Sequence, residues 1–410
     1  MNNKKPFLIG ALAGILLVLV LNYGYAQLVG GSLPLPGAPN KPSAQNTPQN
    51  APQSEAWRKI EELQQLIDAN YVETYDEAEL YEMMYQGFVY GVGDPYTSYM
   101  DKDTFTRYME ETEGTYTGIG VVVNADVDTN RILIVSPYEG YPGAKAGLLP
   151  GDAVIKVNDY DVFGDTLDEA VSMMRGEPGT SVVVTIYRDS DRSTFERTIV
   201  REMINMPTVS HRMLDNNIGY LRITTFDRVT TQQFKDAYAD LQAQNMSGLI
   251  LDLRNNPGGL VSVVCDITDM LVPRGTIVST VDKYGRSETV KSNANCIEVP
   301  LLVLVNGNSA SASEILSGAV KDLNVGELVG TRTFGKGLVQ NLFPLADGSA
   351  VKITIAKYFT PSGVCIQGEG IPVHYEIDMS DELSVQISTL TLEEDVQLAR
   401  AIEIMAGKIE

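Results

Sequence analysis

Basic side chains are scarce. Of 410 residues, 31 are Lys or Arg against 53 Asp or Glu, a formal net charge of −22. Phosphate binding needs a basic face, so this balance excludes nucleic acid as a partner and reads as a solubility feature. Histidine is scarcer still, with only His211 and His374. Neither stands in a motif, so a Ser-His-Asp triad has no evident base and both read as structural. Cys265, Cys296 and Cys365 show neither C-x-x-C nor Cys/His spacing, which excludes a structural zinc site. One disulfide with a thiol left over fits, as do three buried thiols. Buried thiols are favoured, because free Cys behaves as a small core residue. The rest is ordinary for globular protein, with 44% apolar and 20% charged residues. Disordered, collagen-like and polytopic membrane chains are excluded, and the length predicts two or three domains.

The N-terminus bears on the compartment. Lys4 and Lys5 precede an apolar run over residues 7–21, and counted on to Ala26 it has the length a helix needs to cross a bilayer. The lysines stay inside, which puts everything after the run outside. Gly24-Tyr25-Ala26 also fits a signal-peptide cleavage site. Either reading exports the remainder, to the outer side of a cytoplasmic membrane or into the medium. Residues 27–54 read as a tether, with Pro34, Pro36, Pro39, Pro42, Pro48 and Pro52 among polar and small residues.

Helical spacing of Ile60, Leu63, Leu66 and Ile67 predicts a helix over 57–71, with further helices over 77–90 and 105–113. The Tyr and Met residues there read as packing. From Gly114 the texture turns to short strands, at 118–123, 131–135, 152–158 and 182–187, with a short helix at 143–147 and another at 167–174. Gly118-Ile119-Gly120-Val121, the run Ala144 to Leu148 and Pro150-Gly151-Asp152 in this order resemble a PDZ domain. Such a domain takes a peptide C-terminus as an added strand, with the N–H groups of Gly118, Ile119, Gly120 and Val121 on the carboxylate. From 204 to 377 strands alternate with helices, the pattern of an α/β layer structure. A charged helix over 393–408 closes the chain.

Chemistry concentrates at two places. Ser309-Ala310-Ser311-Ala312-Ser313-Glu314 lies between a buried strand and a helix. A sharp turn there exposes a hydroxyl at a helix N-terminus, where backbone N–H groups can hold an oxyanion. Taken alone, Ser311 and Glu314 make an ordinary capping box. Gly330 to Gly337 looks like a Walker A loop, but position 337 is Gly rather than Ser or Thr, and strands follow in place of the required helix. What remains is Lys336 in a Gly-rich turn. A lysine serves as general base when burial leaves it neutral near pH 7, and Ser paired with Lys is a variant of triad logic.

Lys336 stands 25 residues after Ser311, and Gln340 follows four residues later. With Thr333-Phe334-Gly335-Lys336-Gly337, this pattern resembles the C-terminal processing peptidases, also called tail-specific proteases. The resemblance runs from about residue 55 to 410 and takes in Gly93 to Met100 and Tyr358 to Gly363. It departs at Gly370-Ile371-Pro372-Val373-His374, where the family has Gly-Ile-x-Pro-Asp, which bears on that loop alone. The resemblance implies an α/β fold: a crotonase-like ββα protease core with an inserted PDZ domain, helical N- and C-terminal segments and an N-terminal transmembrane anchor. The implied boundaries are an anchor or signal peptide at 1–26, a linker at 27–54, a helical region at 55–114, the PDZ at 115–203, the core at 204–378 and a C-terminal helical region at 379–410. It also implies Ser311 as nucleophile, Lys336 as base and Gln340 as the orienting partner of the amine. The oxyanion hole would take one N–H from Ala312 and one from Gly258 or Gly259. No metal or cofactor is implied. Arg175, after the PDZ helix, is a candidate relay between ligand binding and the catalytic site, or else a solvated charge or an ion-pair partner within the PDZ. The helices over 57–71 and 393–408 show apolar stripes without an evident partner, which predicts a homodimer or higher homo-oligomer.

The expected function is a PDZ-gated endopeptidase that cleaves near the C-termini of exported proteins. Two other classes compete. An inactive PDZ scaffold need not keep Ser311, Lys336 and Gln340 together, and an acyl-CoA enzyme fits poorly with export.

Overall fold

A computed structural model describes residues 55–293 and 296–409. The expected membrane segment and the linker lie outside the described residues. Among those described, no helix is long and apolar enough to cross a membrane. The chain forms two compact units. One comprises residues 103–339 and the chain from 355 onward, and the other the described residues up to 102 together with 340–354.

Within the first unit, Val121–Asp126, Arg131–Pro137, Ala153–Val157, Ser181–Arg188 and Ser193–Val200 form an antiparallel sheet in that order. Alternate residues point inward. Ile132, Ile134, Val154, Val184 and Ile186 meet Ala170 and Met174 of the helix Leu167–Met174. Thr115–Gly118 pairs with Glu202–Asn205, so the chain enters and leaves this PDZ module side by side. The strand expected over 118–123 is broken: Gly118 ends one strand, Val121 starts the next, and Gly120 turns between them at φ 74°.

A second sheet follows. Val209–Leu214 pairs antiparallel with Ile218–Ile223, and Gly248–Asp252, Leu301–Val305, Gly326–Gly330 and Tyr375–Glu376 continue it in parallel. Every residue of Gly248–Asp252 and Leu301–Val305 is buried, as expected of parallel strands covered on both faces. On one face Ile250, Leu302 and Val329 pack against Leu398, Ala401 and Met405 of the C-terminal helix Val396–Ile409. That corrects the expectation that this helix lacks an intrachain partner. Its stripe matches a sheet face more than 60 residues away in sequence, which helical periodicity alone does not reveal.

The second unit holds the helices Glu55–Asn70 and Glu77–Tyr90, neither with a buried residue. Trp57, Leu63, Leu66 and Phe88 are exposed. Ser98–Met100 pairs antiparallel with residues 350–352.

The preference for three buried thiols is also corrected. Cys265 is buried, Cys296 exposed and Cys365 intermediate, and all three are free. Cys265 lies on the inner side of the helix Val261–Leu271, whereas Cys296 and Cys365 stand outside regular elements where no core surrounds them.

Candidate active site

The buried strand Leu301–Val305 runs through a tight turn into the helix Ala312–Asp322. Residues 309–313 are all buried, so only small side chains fit. Ser309 Oγ donates to Leu253 O at 2.8 Å and Ser313 Oγ to Asn256 O at 2.8 Å, while Ala310 N–H donates to Asn256 O at 3.1 Å. This lattice holds Ser311 at φ 54° and ψ −111°, a conformation that costs a non-glycine residue about 1–3 kcal/mol. Ser311 is 3% exposed.

Glu314 does more than cap a helix. Its Oε2 accepts from Ser311 N–H at 2.9 Å and from Lys336 N–H at 2.8 Å. Its Oε1 accepts from Gly335 N–H at 2.7 Å and Thr333 Oγ1 at 2.6 Å. One buried carboxylate thus fixes the backbones of Ser311 and Lys336 against each other. Burial pushes its pKa up, and these four donors act in the opposite direction. Tyr358 adds a second tie, its hydroxyl donating to Ser311 O at 3.1 Å and its N–H to Gly337 O at 3.0 Å. Lys336 is 5% exposed. In the sequence Glu314 reads as a helix cap and, with Thr333, as a member of the motif, and no bond between them is foreseen. A charged residue inside a run of small buried ones was the available signal.

The loop 254–259 abuts this turn. A Cβ on Gly258 (φ 109°) would lie 2.7 Å from Ala310 O, 2.7 Å from Ala312 N and 3.0 Å from Ser311 Cβ. Only glycine therefore lets the loop approach so closely. Gly258 N–H donates to Asn256 Oδ1 at 2.8 Å. Neither Gly259 N–H nor Ala312 N–H donates to any acceptor among the described residues. Of the two glycines left open by the sequence, Gly259 is thus the one with an N–H to spare.

The loop is anchored from behind. Arg254 is fully buried, bonded to Asp252 (Nη2 to Oδ2, 2.6 Å) and to Asp395 (Nη1 to Oδ1, 2.7 Å; Nη2 to Oδ2, 2.8 Å). Tyr220 Oη donates to Asp252 Oδ2 at 2.7 Å. Burial opposes ionisation of Asp252, but the Arg254 guanidinium prevails and holds its carboxyl below the usual range. Asn255 and Asn306 exchange hydrogen bonds of 3.0 and 2.8 Å between this loop and the Ser311 turn.

Gln340 belongs to the second unit. It is 1% exposed, its Nε2 donates to Thr354 Oγ1 at 3.3 Å, and its buried Oε1 has no hydrogen-bond partner among the described residues. In the PDZ module, residues 118–121 line a cavity of about 210 Å³ with Tyr116, Met174 and Arg175. The Arg175 side chain is 38% exposed, and its ion-pair partner lies outside the module. It bonds Glu110 at 3.0 Å and lies over the Tyr116 ring at 5.0 Å, and Glu110 sits on the helix Lys102–Glu113 that precedes the module. His211 pairs with Asp240 at 2.8 Å and His374 Nδ1 accepts from Leu328 N–H at 2.8 Å, both structural bonds. Among the described residues no cluster could hold a metal ion.

The description "Peptidase family S41" matches residues 217–377, "PDZ domain" residues 133–188, and "Activating protease CtpB N-terminal domain" residues 17–104. A carboxy-terminal-processing protease of Bartonella bacilliformis is 38% identical over 315 residues, which cover 74% of this chain and 71% of that protein. The carboxy-terminal processing protease CtpA of Bacillus subtilis is 35% identical over 325 residues, covering 79% and 69%. Among solved structures, a photosystem II D1 C-terminal processing protease aligns over 79% of this chain and 87% of its own, at 30% identity and a TM-score of 0.46.

Proposed function

The chain belongs to the carboxy-terminal-processing proteases of peptidase family S41, and from that membership we propose that it cleaves exported proteins near their C-termini with Ser311 as nucleophile and Lys336 as base. In this mechanism the neutral Lys336 amine takes the Ser311 hydroxyl proton as Oγ attacks the scissile carbonyl. The same amine then returns that proton to the leaving nitrogen, and water repeats the cycle on the acyl-enzyme. Gly259 and Ala312 N–H groups receive the developing oxyanion. Gln340 offers a free carbonyl oxygen, which is what an orienting partner for an amine requires. The observation that carries this reading is the Glu314 carboxylate shared by the backbones of Ser311 and Lys336.

The PDZ module supplies recognition. The N–H groups of residues 118–121 take the terminal carboxylate of the substrate, and Arg175, held between Glu110 and Tyr116, links that groove to the preceding helix. In PDZ gating the module covers the cleft, and a bound C-terminus opens it only to the extent that it binds the open arrangement better than the covered one. Amidating the substrate terminus removes the charge and should lower kcat/KM by roughly tenfold or more, the range of hydrogen bonds to a charged group. Cleavage of matched acid and amide peptides measures this, and equal rates would reject PDZ recognition. An acid preference that Arg175→Ala leaves intact at every rate would keep recognition and remove the relay.

The working place in this reading is the outer face of the cytoplasmic membrane, reached through the apolar segment at residues 7–26. The helices Glu55–Asn70 and Glu77–Tyr90 carry the exposed apolar side chains of a self-association surface. Sedimentation of residues 55–410 should show a dimer or larger species at micromolar concentration, and a monomer would contradict it.

A further inference from the structure

A cavity of about 310 Å³ lies beside the Gly258–Gly259 loop, and its wall includes Tyr108, Glu111, Thr225, Asp227, Pro257 and Gly259. Asp227 is 9% exposed. Its Oδ1 accepts from Thr225 Oγ1 at 3.1 Å, and among the described residues nothing donates to Oδ2. The adjacent Arg228 turns away to Glu113 at 2.7 Å, and no Lys, Arg or His lines the cavity. Helix capping does not account for the carboxylate either. The Thr230 N–H bonds the Asp227 backbone carbonyl at 2.9 Å, and no helix N–H reaches the side chain.

Position ties this cavity to the cleaved bond. Phe226 N–H donates to Gly258 O at 2.8 Å and Leu260 N–H to Phe226 O at 2.7 Å, so the residue before Asp227 is bridged to the loop that abuts Ser311. We propose that this cavity is a specificity subsite for a lysine or arginine side chain of the substrate, close to the scissile bond, with Asp227 as its principal partner and Glu111 at its wall. The inference rests on the peptidase reading above and names the substrate class. A buried carboxylate with an idle oxygen is costly until a cation enters, and the volume suits one long side chain.

Burial, with Glu111 nearby, pushes Asp227 up to about 7. Tyr108 and Tyr138 also face the cavity, burial holding the Tyr138 hydroxyl above its usual range, and Arg175 and Arg107 act on Glu111. A carboxyl whose folded pKa lies above its unfolded value costs stability above the folded pKa, and the cost disappears as pH falls. Asp227→Asn should therefore raise Tm at pH 8 by a few degrees, while removing selectivity.

The test uses peptides with free C-termini, differing only in Lys, Gln or norleucine at successive positions around the scissile bond. At one position Lys should exceed Gln in kcat/KM by about 10- to 100-fold at pH 8, the range of one hydrogen bond between charged groups. The ratio should shrink toward pH 6 as Asp227 protonates. Asp227→Asn should bring it near one and Asp227→Lys should favour Glu. Anisotropy with labelled peptides and the Ser311→Ala protein should give the same ranking without turnover, and the wild-type ratio tests the inference even if the Asp227 variants misfold. Ser311-dependent cleavage indifferent to Lys at every position would overturn this inference alone. Cleavage that survives Ser311→Ala would overturn the peptidase reading and the inference with it.

Discussion

Ser311→Ala should lower kcat for peptide cleavage by on the order of 10⁴- to 10⁶-fold, the scale seen when a nucleophile is removed from a site whose groups act as one unit. Thermal unfolding should barely change, because alanine meets the same backbone strain at φ 54° and keeps the Glu314 bond to the residue 311 N–H. Lys336→Ala should be equally inactive. Lys336→Arg should be inactive too, since a guanidinium cannot give up its proton to act as base. Glu314→Ala should differ from all three. It strips four buried donors of their acceptor, so activity and stability should fall together. A Lys336→Arg protein with full activity would sink the Ser/Lys mechanism. An inactive Glu314→Ala protein with unchanged Tm would sink the account of Glu314 as the clamp. Single-turnover kinetics and thermal denaturation on the same preparations separate these outcomes.

Asp395→Ala should destabilise the fold by about 3–5 kcal/mol, the cost of leaving half of a buried charge network uncompensated. Arg254 would keep Asp252 but lose both bonds to Asp395, and the N–H of Leu398 would lose its acceptor at the start of the C-terminal helix. Urea titration measures the loss, and a change below 1 kcal/mol would refute the network's role. Arg254→Ala should cost at least as much, since it removes the cation bonded to both Asp252 and Asp395 and leaves Asp252 only the more distant charge of Arg222. Acidification should reach the same network. The Asp252 pKa is lowered on folding, so its contribution is complete above the unfolded value near 3.8 and is lost as pH falls through the folded value. Activity should decline before unfolding, because Arg254 anchors the loop that carries Gly258 and Gly259.

The order of the PDZ segments and the alternation of buried strands with helices were legible, because each rests on periodicity or on turn residues within a short window. The helix boundaries at Glu77–Tyr90 and Leu167–Met174 coincide with the expected ones. The span over 118–123 misread, because apolar alternation continues through the turn at Gly120 and gives no local sign of the break. The C-terminal helix was recognised as a helix but not as part of the core, since its partner strands lie far off in the chain. Cys296 and Cys365 were placed by a general preference of the residue type, which carries no information about neighbours.

The sequence by itself determined the candidate chemistry. Small residues around Ser311, Lys336 in a glycine turn and the fixed spacing to Gln340 form a pattern that side-chain chemistry and family resemblance can both read. Tertiary structure alone decided which glycine has an N–H to spare, since Asn256 occupies that of Gly258. It also decided that Glu314 joins two segments 22 residues apart and that Arg175 pairs outside its own module. It left Asp227 with an idle oxygen in a cavity beside the loop. Each of these depends on where a hydrogen-bond donor or a charge ends up in space. Local spacing says only what a residue can offer, and folding alone settles which offers are already taken.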